Sequence, residues 1–204
     1  MTKKHYGLIS LVILAVISII NCGGGGGAPG SSGSGDTGIM IQAANLTLVS
    51  PDIDTFQCSA CCGATATTPG TPEPPLTRES ATLNVETLNL NPDVTTAQFP
   101  ATVTECTITY LKSNQDPAAP IIEDLVIYPE CILTEGTNSC PVTLIDITRK
   151  LQYSDAVIVN KTSVPSEYPT HYVVQYNCTY INNFGQTGYF QTEVDIWLAD
   201  FLKC

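Results

Sequence analysis

Residues 171–198 read HYVVQYNCTYINNFGQTGYFQTEVDIWL, and this stretch decides the fold. Its first half places tyrosine, valine and cysteine at the even positions of 172–180, and polar residues at 175, 177 and 179. Its second half alternates apolar and polar residues from Phe190 to Leu198. Such alternation is typical of strands with one buried and one solvent-facing side. With Asn182 to Gly188 as the loop, the stretch predicts a long antiparallel hairpin. Tyr172, Tyr176 and Tyr180 are expected in the core, in preference to forming an aromatic platform for a sugar.

Strand patterns continue towards the N-terminus. In 81–90, Leu83 and Val85 share one parity while Leu88 and Leu90 share the other, which predicts a bulge near residues 86–87. No apolar stripe with a helical period extends over a useful length, and 149–159 is ambiguous between a short helix and a strand. About seven strands separated by turn signals predict an all-β, antiparallel β-sandwich. The other predicted strands are 39–49, 102–111, 121–133 and 141–147.

Three segments carry a resemblance at the level of a family: CTITYL from Cys106, the strand CPVTLIDI from Cys140, and the hairpin YVVQYNCTYINNFGQTGYF from Tyr172. Together they resemble immunoglobulin-like domains of uncharacterised secreted bacterial lipoproteins, over roughly residues 80–202. The resemblance implies an immunoglobulin-like sandwich and a location in the cell envelope. It implies no activity.

The N-terminus predicts export. Lys3 and Lys4 precede an uncharged apolar run of 14 residues, 7–20, which is shorter than the roughly 20 residues of a membrane-spanning helix and is typical of a signal peptide. The run ends at Asn21-Cys22, which resembles the lipobox of bacterial lipoproteins, although that family prefers a smaller residue at the position of Asn21. We therefore expect a lipoprotein signal peptide over 1–21 and a lipid on Cys22. An uncleaved anchor and an ordinary signal peptide are the alternatives.

Residues 22–38 carry the expected lipid-anchor cysteine and a glycine- and serine-rich linker. That composition predicts a flexible coil with a root-mean-square reach of roughly 20–24 Å. Residues 39–204 remain for one β-sandwich domain. Loss of Lys3 and Lys4 changes the formal net charge from −11 to −13, and nucleic acid and anionic membrane surfaces are poor partners for a chain of that charge.

The chain has nine cysteines, and eight remain if Cys22 carries lipid. Export to an oxidising compartment predicts that they form disulfides. Cys131 and Cys140 flank a turn of eight residues between consecutive strands, so we expect them to pair. Cys106 and Cys178 both have core-facing parity, and in an immunoglobulin-like sandwich such a pair would bridge the two sheets. The cysteines left over are Cys58, Cys61, Cys62 and Cys204, of which Cys204 is expected to pair with Cys61 or Cys62 and Cys58 with the other.

Candidate chemistry is sparse. The Cys58-x-x-Cys61-Cys62 cluster lacks the βαβ context of a redox site and the further ligands of a zinc site. His171 is the single histidine after the signal segment and is expected to be solvated. No catalytic residue, metal ligand or cofactor is predicted. Trp197 has the parity opposite to its neighbours Ile196 and Leu198, which makes it the best candidate for a binding surface.

Two functions follow as expectations. The first is a non-catalytic, lipid-held envelope protein that acts in binding, adhesion or surface assembly with an envelope protein or a glycan. The resemblance to bacterial lipoproteins implies that it lies at the outer membrane, facing the periplasm or the cell surface. The alternative is an envelope redox or metal-binding protein that uses the cysteines at 58, 61 and 62.

Overall fold

A computed structural model describes residues 37–56, 75–90, 98–113 and 115–200. Two sheets contain nearly all of the regular structure. The smaller sheet has the strand order β1-β3-β7, and the larger has the order β2-β9-β8-β4-β5, with β6 also paired to β4. The strands are β1 Ile39–Leu48, β2 Asp52–Asp54, β3 Glu79–Asn89, β4 Ala101–Lys112, β5 Leu125–Ile127, β6 Cys131–Leu133, β7 Gly136–Ile145, β8 Thr170–Ile181 and β9 Thr187–Ala199.

The predicted hairpin is present as β8 and β9, which pair from Thr170–Leu198 to Ile181–Thr187 without a register shift. The even-numbered residues of β8 from Tyr172 to Tyr180 are buried, as the alternation predicts. All pairings among the described strands are antiparallel except that of β2 with β9, which is parallel.

The buried faces of the two sheets pack against each other, and hydroxyl groups of the larger sheet donate to backbone carbonyls of the smaller one. Tyr110 donates to the carbonyl of Leu144 at 2.9 Å, and Tyr176 donates to that of Thr143 at 2.7 Å. Burial raises the pKa of both phenols well above the usual value, so they remain protonated donors. These bonds fix the large sheet over the small one.

The ambiguous segment 149–159 lies within α1, Ile147–Ser154, and the π-helical turn Asp155–Val159 that continues it. The carboxylate of Asp146 accepts a hydrogen bond from the backbone N–H of Arg149 at 2.9 Å, which caps the helix. Lys150 is 1% exposed, and its ammonium lies 2.7 Å from the carboxylate of Glu79 at the start of β3. The helix is therefore held against the end of the smaller sheet.

A bulge lies in the β1–β3 ladder near residues 86–87, where one was predicted, but its extra residue belongs to β1: the register shifts between the pairs Ile41–Thr87 and Ala43–Glu86. The predicted change of phase within β3 itself is wrong, since β3 pairs with β7 through these residues without a shift. Thr87 faces the interior and donates to the carbonyl of Thr134 at 2.6 Å. Leu88 therefore points outwards, because the alternation continues unchanged to the end of the strand.

Both pairs of cysteines predicted within this region are bonded, but their roles differ from the prediction. Cys106 and Cys178 lie directly opposite each other on the adjacent strands β4 and β8, with Cα atoms 4.1 Å apart, so their disulfide lies within one sheet. Cys131 lies on β6 and Cys140 on β7, so theirs joins the two sheets, with Cα atoms 5.8 Å apart. Parity gave the buried face of Cys106 and Cys178 correctly, but it carries no information about which sheet a strand joins.

A candidate binding face on the larger sheet

The outer surface of the larger sheet is lined mainly by polar side chains. We call the outward side chains of β4, β8 and β9 the β4–β8–β9 face. The register aligns them in rows across the sheet, for example Thr107, Asn177 and Gln191, and Thr109, Gln175 and Glu193. The remaining members are Glu105, Leu111, His171, Val173, Thr179, Ile181, Thr187, Tyr189, Asp195 and Trp197.

The face combines hydrogen-bonding groups with aromatic rings. Amides and hydroxyls of Gln, Asn and Thr fill its centre, and they offer donors as well as acceptors. The carboxylates are Glu105, Glu193 and Asp195, and no outward residue named above is Lys or Arg. The face is therefore acidic.

A shallow depression of about 430 Å³ lies at one end of the face. Its lining includes the outward groups of two adjacent rows, with Tyr189 at its rim. The side chain of Tyr189 is 66% exposed, which is unusual for so large an aromatic residue within a strand. The other outward groups that line the depression are Glu105, Thr107, Asn177, Thr179 and Gln191.

The opposite end of the face carries a cluster of three side chains. His171 lies across from Trp197 in the register, and the two rings stack with centroids 5.1 Å apart and planes inclined by 29°. The Nε2 atom of His171 lies 2.7 Å from a carboxylate oxygen of Asp195. His171 thus contacts both Asp195 and Trp197, whereas the sequence predicted a solvated histidine.

The stacking also orients Trp197. Its ring is partly buried against the imidazole and stays accessible on the outer face, as its parity predicts.

At about 3.4 Å per residue, the eight positions from Tyr189 to Trp197 place these aromatic groups about 27 Å apart along β9. A ligand that contacts both would have to be extended.

The remaining predicted site residues fall into two groups. The four cysteines at 106, 131, 140 and 178 form the two disulfides. The lipid-bearing candidate Cys22 and the cysteines at 58, 61, 62 and 204 lie outside the described residues, so their predicted roles remain predictions.

Sequence reasoning missed Tyr189 and the His171–Asp195 contact. The signal for Tyr189 was available, because it has the same parity as Gln191 and Glu193 in an alternating strand. The contact of His171 with Asp195 depends on the register of β8 against β9, which the length of the hairpin loop determines and the alternation does not.

Within ranges 37–56, 75–90, 98–113 and 115–200, no group of three or more His, Cys, Asp or Glu side chains is placed to hold a metal ion. In the same ranges, no helix has the length and apolar character needed to cross a membrane. Comparisons with protein-family models, with curated proteins and with solved structures gave no match.

Proposed function

We propose that this chain is a lipid-anchored, non-catalytic module of the bacterial envelope that binds a neutral glycan through its β4–β8–β9 face. The observation that carries the proposal is the composition of that face. Amide, hydroxyl and carboxylate groups of the kind that hydrogen-bond sugar hydroxyls lie between the exposed ring of Tyr189 and the partly buried ring of Trp197, and such rings can pack on the apolar side of a sugar.

The strand order supports an immunoglobulin-like sandwich as the scaffold. In that fold one sheet contains strands A, B and E and the other contains C, F and G. The order β1-β3-β7 matches A-B-E, and β9-β8-β4 matches G-F-C. The disulfide departs from the antibody pattern, since it joins the strands that correspond to C and F within one sheet, whereas the antibody disulfide joins B and F across the sheets.

The sequence before the first strand supports attachment to a membrane. The apolar run 7–20 is of signal-peptide length, Cys22 follows it directly, and a glycine- and serine-rich tract separates this cysteine from β1. A lipid there would hold the domain at a root-mean-square distance of roughly 20–24 Å from the membrane surface.

Charge supports a neutral ligand in preference to an acidic one. The three carboxylates of the face have no Lys or Arg beside them on the same face, and the mature chain is expected to carry −13. An anionic polysaccharide would be repelled at long range and would find no cation at close range. A neutral glycan avoids both costs, and its hydroxyls can donate hydrogen bonds to the carboxylate oxygens.

The test measures the binding of neutral and acidic envelope polysaccharides to the purified chain by isothermal titration calorimetry. We expect a neutral polysaccharide to bind, and Tyr189→Ala to weaken its affinity by about fivefold, because loss of an aromatic contact is worth about 1 kcal/mol. Tyr128→Ala is the matched control, since Tyr128 is 67% exposed against 66% for Tyr189 but lies outside the face. Equal losses in both variants, or binding only of acidic polysaccharides, contradict the proposal.

A further inference from the structure

The chain that leads to Cys22 leaves the domain beside the loop of the β8–β9 hairpin. The side-chain amide of Asn182 donates to the backbone carbonyl of Thr37 at 2.9 Å, and the backbone N–H of Leu90 donates to the carbonyl of Gly38 at 2.9 Å. We call this part of the molecule, residues 37–38, 88–90 and 181–189, the tether end. Any lipid on Cys22 is connected to the domain here.

Asn182 also fixes the shape of the hairpin loop. Its side-chain oxygen accepts hydrogen bonds from the backbone N–H groups of Phe184 and Gln186, at 3.0 and 2.9 Å. Gly185 has a φ of +77°, which only glycine adopts without strain, and its N–H donates to the carbonyl of Asn182 at 3.0 Å. The loop is therefore ordered by the same side chain that holds the start of the described chain.

Phe184 lies at the tip of this ordered loop and is 53% exposed. A fixed backbone that presents an aromatic ring to solvent would lose little conformational entropy on binding. Other large apolar side chains at the tether end are also exposed. They are Leu88, Leu90, Ile181 and Tyr189.

The tether end is poor in charge. No Asp, Glu, Lys or Arg occurs from Tyr172 to Thr192, in a chain with a formal net charge of −11. The acidic residues closest in sequence to the tether end lie outside the hairpin: Asp36 precedes Thr37, and Glu86 precedes Leu88. The tether end thus combines exposed apolar groups with the absence of nearby charge along the hairpin.

We propose that the tether end rests on the lipid surface, with the ring of Phe184 inserted among the headgroups and Tyr189 beside it at the interface. This inference rests on the lipid anchor at Cys22 of the proposed function. Aromatic side chains are favoured at the membrane–water interface, and an uncharged tip lets an acidic domain approach that interface. The linker, with its expected reach of roughly 20–24 Å, keeps the loop at high effective concentration near the bilayer.

The contact would orient the domain. Tyr189 then lies near the membrane and Trp197 lies at the far end of β9, so the β4–β8–β9 face stands along the membrane normal. A glycan chain that extends outwards from the membrane could follow the face along its length.

The experiment uses the full lipidated chain in vesicles of phosphatidylcholine, with and without bromine on the acyl chains, since bromine quenches tryptophan fluorescence only at short range. The native chain reports from Trp197 alone, because it contains one tryptophan. Phe184→Trp adds a reporter at the tip. Ile121→Trp is the control, since Ile121 is 82% exposed and lies in the connection after the opposite end of β4.

We expect brominated vesicles to quench the added tryptophan of Phe184→Trp and to leave the native chain and Ile121→Trp unchanged. If vesicle-bound Phe184→Trp is not quenched, or if both added tryptophans are quenched equally, the inference is wrong while the anchor stands. Mass spectrometry of the same sample shows whether Cys22 carries lipid. Its absence overturns both the anchor and the inference.

Discussion

The two disulfides give a quantitative test, because they close loops of very different size. Cys106 and Cys178 are 72 positions apart, and Cys131 and Cys140 are 9 apart. The chain-entropy relation assigns about 4.4 kcal/mol to the longer loop and about 2.6 kcal/mol to the shorter one. We expect Cys106→Ala/Cys178→Ala to lower the free energy of unfolding by about 1.8 kcal/mol more than Cys131→Ala/Cys140→Ala does.

The comparison is matched in its chemistry. All four cysteines are buried, so each double variant removes two buried sulfur atoms, and the loss of packing largely cancels in the difference. The pairs differ in architecture, since the first lies within the larger sheet and the second joins the sheets. When the Cys106–Cys178 disulfide is removed, its strands β4 and β8 remain joined by their backbone hydrogen bonds.

Urea unfolding under non-reducing conditions measures both values, and peptide mapping checks that the remaining disulfides are unchanged. If the variant without the Cys131–Cys140 disulfide is destabilised as much as the variant without Cys106–Cys178, or more, loop entropy does not dominate the contribution of these disulfides to stability. The covalent link between the sheets would then be the stronger stabilising feature, and the reasoning from loop size would be refuted.

Three further outcomes are expected. Hydrogen bonds from backbone N–H groups, chiefly that of Ser166, hold the pKa of the Asp116 carboxyl below its usual value. The stability that the ionised carboxylate adds is therefore present above about pH 4 and is lost as the pH falls through the lowered pKa. Asp116→Asn should therefore flatten the acid dependence of the unfolding free energy, and an unchanged slope contradicts this. Glu79→Ala should destabilise the protein by about 2–3 kcal/mol, because it leaves the buried Lys150 ammonium unpaired. Lys150→Met should be nearly neutral. A larger loss of thermal stability in Lys150→Met than in Glu79→Ala would be evidence against the buried pair. A thiol assay on the non-reduced protein should find no free thiol, whereas two or three would favour the alternative redox or metal-binding function.

The hairpin could be predicted from sequence because its signal is local. In the strands between Tyr172 and Leu198, the polarity of each side chain indicates whether it faces the core or the solvent. Because side chains alternate between the two faces, the pattern determines which positions are buried. The buried positions of Cys106 and Cys178 followed in the same way. Assignment of strands to sheets is non-local, however, so the two disulfides exchanged their expected roles.

Short elements were predicted poorly: β2 was missed, and 121–133 was expected to form one strand where the structure has the separate strands β5 and β6. β2, β5 and β6 each contain three residues, and such strands exist because β4 and β9 provide a hydrogen-bonding edge. Of the candidate face, parity identified Trp197 as outward. Its stacking on His171 and the alignment of Tyr189 with Glu105 and Thr179 required the register of three strands.

The central claim is that the mature chain is a lipid-anchored module that begins at Cys22. The most direct measurement is mass spectrometry of the N-terminal peptide of the protein purified from membranes. The account predicts a peptide that starts at Cys22 and carries the mass of covalent acyl chains. A mature N-terminus at any other residue, or an unmodified Cys22 in the membrane-bound protein, would contradict it.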